Sequence, residues 1–226
     1  MKFFNVNGVR MPVAISGTPG ARPLVLLHGG STTHTVWDHL VTSFAATHEV
    51  YAVDQRGYGA GSRDGDYSFE LMRDDVLGLF DAIGADRVDL IGHSMGATVA
   101  WLVAQAAANR VAHLVVVDTL PPRPRPEPVA MPPRPTGELD FDWRALQAVM
   151  AQFNDPDPSW WELLPTVVGP VLILSGGPAS RTSKQAFEQA RSMLRNAQLV
   201  EIPVGHNIHS DAPQEFLAAV VPFLST

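Results

Sequence analysis

Five residues, Gly92-His93-Ser94-Met95-Gly96, have the spacing of a turn that presents a serine hydroxyl for nucleophilic attack. A strand, Val88 to Gly92, leads into them, and a helical stretch over 95–108 follows. That context argues against a chance five-residue match. Ser94 on such a strained strand-to-helix turn would be lifted clear of the backbone, and the flanking glycines would leave room for the neighbouring strand and helix. A serine is a weak nucleophile until a base takes its proton. His206, in Ile202-Pro203-Val204-Gly205-His206-Asn207-Ile208-His209, can be that base, because imidazole titrates near working pH. His209, close to the start of the last helix, is the competitor and reads as structural or solvent-exposed. Acyl transfer also needs backbone N–H donors where the oxyanion forms. His28-Gly29-Gly30 closes an apolar strand, so Gly30 N–H and Met95 N–H are the candidate pair. The competing reading of the glycines is a plain strand-to-helix turn, and His28 reads as a residue that orients this loop.

These residues need elements to hold them. Phe3–Val6 and Val9–Ile15 flank Asn7-Gly8, a hairpin turn signal. Leu24–Leu27 is apolar on both faces, as interior parallel strands are. Strands are then expected at 50–53, 88–92, 114–117, 171–174 and 199–202. Helices are expected at about 34–47, 69–84, 95–108, 181–195 and 212–224, with Asp211 and Gln214 capping the last one reciprocally. Such alternation predicts an α/β fold: a mostly parallel sheet covered by helices on both faces. Asp54 to Ser62, with three glycines and an Asp54–Arg56 pair, reads as a turn that stabilises itself.

Eight prolines fall among residues 121–135, which excludes a helix interior or central strand there. Residues 139–153 and about 158–164 look helical and carry Trp143, Trp160 and Trp161. The insert, about 121–165, is either an ordinary surface excursion or a small lid over a site at the strand ends. Trp143 is the candidate lid contact with substrate.

HGG, DQRGYGAGS, GHSMG and the terminal VGHNIH occur in the order of the α/β-hydrolase superfamily, which the chain resembles over essentially its whole length. The order serine, acid, histidine also fits that fold. The resemblance implies a Ser-His-acid triad, but family members commonly carry the acid after the penultimate strand. Here that loop, Leu174 to Ser183, has no carboxylate, and the next acid, Glu188, falls inside a helix. A smaller group in the family has the acid one strand earlier, where Asp118 ends Val115-Val116-Val117. Asp118 is therefore the candidate acid, with a loop-capping carboxylate as the alternative. Ser-Gly-Gly-x-x-Ser at 175–180 also resembles that group, which includes amide and ester hydrolases of small catabolic acids.

The resemblance implies hydrolysis of an ester, lactone, thioester or activated amide. C–C bond hydrolysis, a lyase or cyclase reaction, and a non-catalytic ligand-binding receptor remain open on the same fold. Dehalogenase and epoxide-hydrolase members resemble the DQRGYG segment but use an aspartate at the elbow, where this chain has Ser94.

Composition narrows the partners. The 226 residues read as one domain, 1–226, with 46% hydrophobic and 17% charged residues. A net charge of -7 and only two lysines argue against nucleic-acid binding. The absence of cysteine excludes thiolate ligands and a cysteine nucleophile. No metal motif or phosphate loop is present, so no metal or cofactor is expected. The N-terminus lacks a signal-peptide pattern, and no run approaches the roughly 20 apolar residues that span a bilayer, so a cytoplasmic protein with no membrane partner is expected. The expected partner is a small-molecule substrate, with an apolar or aromatic portion suggested by the insert's tryptophans. Nothing in the sequence speaks to oligomeric state.

Overall fold

The computed structural model describes residues 1–226. Eight strands form one sheet: β1 Lys2–Val6, β2 Val9–Gly17, β3 Arg22–Leu27, β4 His48–Val53, β5 Val88–His93, β6 Val111–Val117, β7 Val171–Ser175 and β8 Ala197–Glu201. Their order is β1-β2-β4-β3-β5-β6-β7-β8. The first two join by antiparallel pairing, and every pair from β4 and β3 onward is parallel. The hairpin between β1 and β2 turns on Asn7 and Gly8, both at positive φ (46° and 77°), as a tight turn of that hand requires.

The helices are α1 Asp38–Phe44, α2 Phe69–Ala82, α3 Met95–Ala106, α4 Trp143–Asn154, α5 Ser159–Glu162, α6 Lys184–Met193, α7 Ile208–Asp211 and α8 Pro213–Leu224. Each interior strand is apolar on both faces because it feeds two cores. Val25 and Leu27 of β3, with Leu114 and Val116 of β6, pack under α2 and α3. Leu24 and Leu26, with Val115 and Val117, pack against α1 and α8 on the opposite face. The α/β architecture expected from the sequence is the one observed.

Two local expectations fail. Asp211 does not cap the last helix. It closes α7, donating its N–H to Asn207 O (2.9 Å), and α8 starts at Pro213 behind Ala212 with no side-chain cap. Proline at the first helical position has a preset φ and no N–H to satisfy, so the turn at Ala212 needs no carboxylate. Asp54 and Arg56 do not pair either. Asp54 Oδ1 accepts from His34 N and Nδ1 (2.8 and 2.7 Å), whereas Arg56 forms a buried, two-pronged pair with Asp75 of α2 (2.6 Å each). The two charged side chains thus tie the loop outward to two neighbours, while its own backbone bonds, Gly57 N to Ser62 O and Tyr58 N to Gln55 O (2.9 Å each), hold the turn together.

Sheet order brings the distant motifs together. β5 is flanked by β3 and β6, with Leu27 beside Gly92 and His93 beside Val117. Gly29-Gly30, Ser94 and Asp118 therefore emerge side by side at the C-terminal edge. β8 then leads into residues 202–207, which lie over the end of β7: Ile202 N donates to Ser175 O and Gly205 N to Gly176 O (2.8 and 3.0 Å).

Candidate active site

Ser94 has φ 52° and ψ -118°, a backbone conformation that L-residues rarely adopt. The turn closes tightly around it. A Cβ on Gly92 would stand 2.7 Å from Ala97 Cα, and one on Gly96 would stand 2.6 Å from His28 O. Both glycines are there for lack of space, as their spacing suggested. Gly29 is as confined, since its Cβ would lie 2.8 Å from His93 Nδ1 and 3.2 Å from Ser94 Cβ. The HGG loop therefore abuts the serine. Met95 is the first residue of α3, so its N–H has no acceptor within the helix. Neither it nor Gly30 N–H donates to another backbone group.

Asp118 also sits at positive φ (49°), held there by its N–H donating to Leu174 O (2.8 Å). Its carboxylate is buried and divided between two tasks. Oδ1 accepts from Gly176 N (2.7 Å) and Ser180 Oγ (2.6 Å), and Oδ2 accepts from His206 Nδ1 (2.9 Å). With Nδ1 donating, the other ring nitrogen of neutral His206 is a free lone pair. That Nε2 is buried and has no partner. Ser94, Asp118 and His206 all border one cavity of about 300 Å³. No hydrogen bond closes between Ser94 Oγ and Nε2 in this arrangement, and such bonds often tighten only around substrate.

The residues around this set complete its support. His93 Nε2–H donates to His206 O (3.0 Å), tethering the loop that carries the base. His209 is buried between Trp37 and His93, with ring centroids 4.6 and 4.4 Å apart. It is structural, as expected, and not exposed. His28 Nδ1–H donates to Gly29 O (2.7 Å), and Nε2 accepts from Gln55 N (3.2 Å), so it orients the HGG loop as read from the sequence.

Burial lowers all three of these imidazoles. His28 falls to about 4 although Gly29 O and Asp54 pull it up. His209 falls to about 3 through burial and the nearby His39 and His206. His93 lies well below 6.5, through burial first and then His209 and His206. An unfolded histidine titrates near 6.5. Below that pH the unfolded chain binds protons that the folded chain refuses, so stability rises with pH across this window. The stabilisation is fully present above about pH 6.5 and is lost as pH falls toward 4 and then 3. We expect the melting temperature to drop over that range, with proton uptake on unfolding. A melting temperature that held or rose on acidification would contradict the buried neutral histidines.

The insert between β6 and β7 walls the cavity through Pro121, Arg123, Arg125, Val129, Met150 and Trp161. Trp143, expected to meet substrate, does not line it. It starts α4, lies near Phe141 (6.3 Å) and borders a separate shallow depression with Arg63 and Arg144. Trp143 shares a helix face with Met150, which does border the cavity, but stands two turns further toward the start of α4. Trp161 takes the place assigned to it. Ser180, His93, Trp161 and the cavity's arginines did not emerge as site residues from the sequence. Ser180 carried a signal in the Ser-Gly-Gly-x-x-Ser spacing and Trp161 one in the insert's aromatic content, whereas His93 and the arginines depend on how the insert and the last loop pack. No cluster of three or more metal-ligating side chains is present.

Comparison with known proteins identifies the family and the fold. The model of the alpha/beta hydrolase family matches residues 24–220. Epoxide hydrolase A of Mycobacterium tuberculosis is 37% identical over 128 residues, 55% of this chain, and the match spans only 39% of that protein. The sn-1-specific diacylglycerol lipase of Mus musculus is 27% identical over 247 residues, 89% of this chain and 80% of the lipase. A hydrolase from Pseudomonas aeruginosa superposes with a TM-score of 0.86 at 22% identity, covering 100% of this chain and 98% of the other. At that identity the likeness is one of fold.

Proposed function

Because the chain belongs to the alpha/beta hydrolase family, we propose that it is a serine hydrolase cleaving an ester, lactone, thioester or activated amide of a small molecule. The observation that carries the reading is the buried Asp118–His206 pair. It leaves an unpartnered Nε2 on the cavity that also holds Ser94. Ser94 Oγ attacks the carbonyl carbon as His206 Nε2 takes its proton. The carbonyl electrons move onto oxygen, which the N–H groups of Gly30 and Met95 stabilise. Collapse of that intermediate expels the alcohol, thiol or amine, protonated by His206. Water, activated by the same nitrogen, then releases the acid and restores Ser94. Asp118 holds the tautomer and supports the imidazolium in both halves.

Epoxide-hydrolase members of the superfamily that the sequence resembles use an aspartate at the elbow, where this chain holds Ser94. The 121–165 insert serves in this reading as a selective cover, in one domain with the sheet, and its proline-rich wall on the cavity supports that role. A panel of small p-nitrophenyl esters, with a fluorophosphonate probe in parallel, tests the proposal. We expect turnover and a single stoichiometric adduct on Ser94. Saturable ligand binding without turnover or adduct would make the protein a receptor instead.

A further inference from the structure

Three arginines, Arg123, Arg125 and Arg181, border the cavity, against one carboxylate, Asp118. Asp118 is already committed to His206, Gly176 and Ser180. The arginine ion pairs of this chain are made by Arg22, Arg56, Arg73, Arg110 and Arg144, and none of the cavity's three is among them. This is notable in a chain with 23 acidic and 16 basic residues, where a random wall would lean negative. Like charges gathered on one wall repel, and an anion between them relieves that cost.

One of the three side chains is held in place, and the backbone around a second is pinned. Arg123 lies over the Trp161 ring (3.8 Å) and donates to Gln189 Oε1 (3.0 Å). Arg181 has a pinned backbone. Its predecessor Ser180 is anchored on Asp118, and its successor donates Thr182 N to the same Ser180 hydroxyl (3.0 Å). Arg181 thus follows directly on the hydroxyl that holds the acid of the proposed catalytic set, and its exposed guanidinium borders the cavity without an ion pair. Leu120, Val129, Met150, Phe153 and Trp161 give the cavity an apolar stretch beside the hydroxyls of Thr119, Thr182 and Ser183. At about 300 Å³ the cavity lies at the small end of ligand-sized pockets.

We propose that the substrate carries a free carboxylate in addition to its scissile carbonyl, and that Arg181, flanked by Arg123 and Arg125, binds it. This rests on the hydrolase reading and names its substrate class: half-esters or half-amides of short dicarboxylic acids, or lactones bearing a carboxylate. A guanidinium stays charged at every working pH, and its planar fork matches a carboxylate through two parallel hydrogen bonds. The short apolar wall accommodates the methylenes between the two ends.

The test compares ethyl hydrogen glutarate with ethyl pentanoate, which differ only by carboxylate against methyl at the far end. We expect kcat/KM to favour the half-ester by roughly ten- to a hundredfold, the range of a charged hydrogen bond, and chiefly through KM. Added salt should shrink the ratio. Arg181→Ala should collapse it, and Arg181→Lys should restore part of it, keeping charge without the fork. Arg181→Gln serves if the alanine variant folds poorly. Calorimetry on the Ser94→Ala protein reads binding apart from chemistry, with and without Arg181→Ala. Selective binding of the half-ester that is lost with Arg181 supports the carboxylate site even if the wild type turns nothing over, a result that would sink the hydrolase reading alone. Turnover of both esters with no preference, or a preference untouched in every Arg181 variant, overturns the carboxylate site and leaves the hydrolase standing.

Discussion

Ser94→Ala is expected to abolish ester hydrolysis, lowering kcat by about 10⁴ to 10⁶ fold, while the melting temperature stays within a few degrees of wild type. The chemistry has no substitute nucleophile, because the chain has no cysteine and Thr119, Thr182 and Ser183, the other hydroxyls on the cavity, are not on the elbow. The fold should not register the change. Alanine keeps the Cβ, so it bears the same backbone strain at φ 52° as serine, and the packing of Gly29 and Gly96 around the turn is undisturbed. Purified variant retaining more than a few per cent of wild-type activity would refute a serine mechanism.

Asp118→Asn is the second large effect, and its direction follows from the two oxygens of the carboxylate. Oδ1 accepts from two donors, Gly176 N–H and Ser180 O–H. An asparagine must keep its carbonyl oxygen there, which turns its NH₂ toward His206. Facing a donor, His206 Nδ1 must accept, so the ring proton moves to Nε2 and the base can no longer take the serine proton. In a related triad this wrong tautomer costs about 10⁴ in kcat. Asparagine tolerates positive φ as aspartate does, so folding should survive. Glu188→Gln, on the exposed side of α6, should change nothing. Steady-state kinetics on both variants decide the matter. Loss with Glu188→Gln alone would transfer the role to that residue, and near-wild-type rates in both would leave a Ser-His dyad.

Apolar runs and their spacing made the strands and most helices legible in the sequence. A strand such as Leu24–Leu27 has to be apolar on both sides to serve two cores. Elements ended where local chemistry competed. Residues 34–47 became a short 3-10 turn and α1, and Asp211 lost its cap role to Pro213. The glycines at 92 and 96 were readable because steric demand leaves a signature of residue type at fixed spacing. Ser94, Asp118 and His206 are legible in the sequence and border one cavity, since each stands at or just beyond a strand end. The wall was not readable. Which tryptophan meets the cavity depends on where α4 and α5 lie along the sheet edge, and the grouping of Arg123 and Arg125 with Arg181 depends on the path of a proline-rich segment with no periodicity to follow.

The attachment of Asp118 to the end of β6 has a consequence for how such a chain can change over generations. The segment from Gly176 to Ser183 is asked for only two contributions to the acid, one backbone N–H and one hydroxyl. Gly176 also seats Gly205 and has no room for a side chain, but the Arg181 side chain makes no hydrogen bond and can be rewritten without disturbing the proton path. Selection on diet and selection on chemistry then act on different stretches of polypeptide. A descendant could exchange Arg181 for an apolar or acidic residue and acquire a new substrate in one step, with its reaction inherited intact.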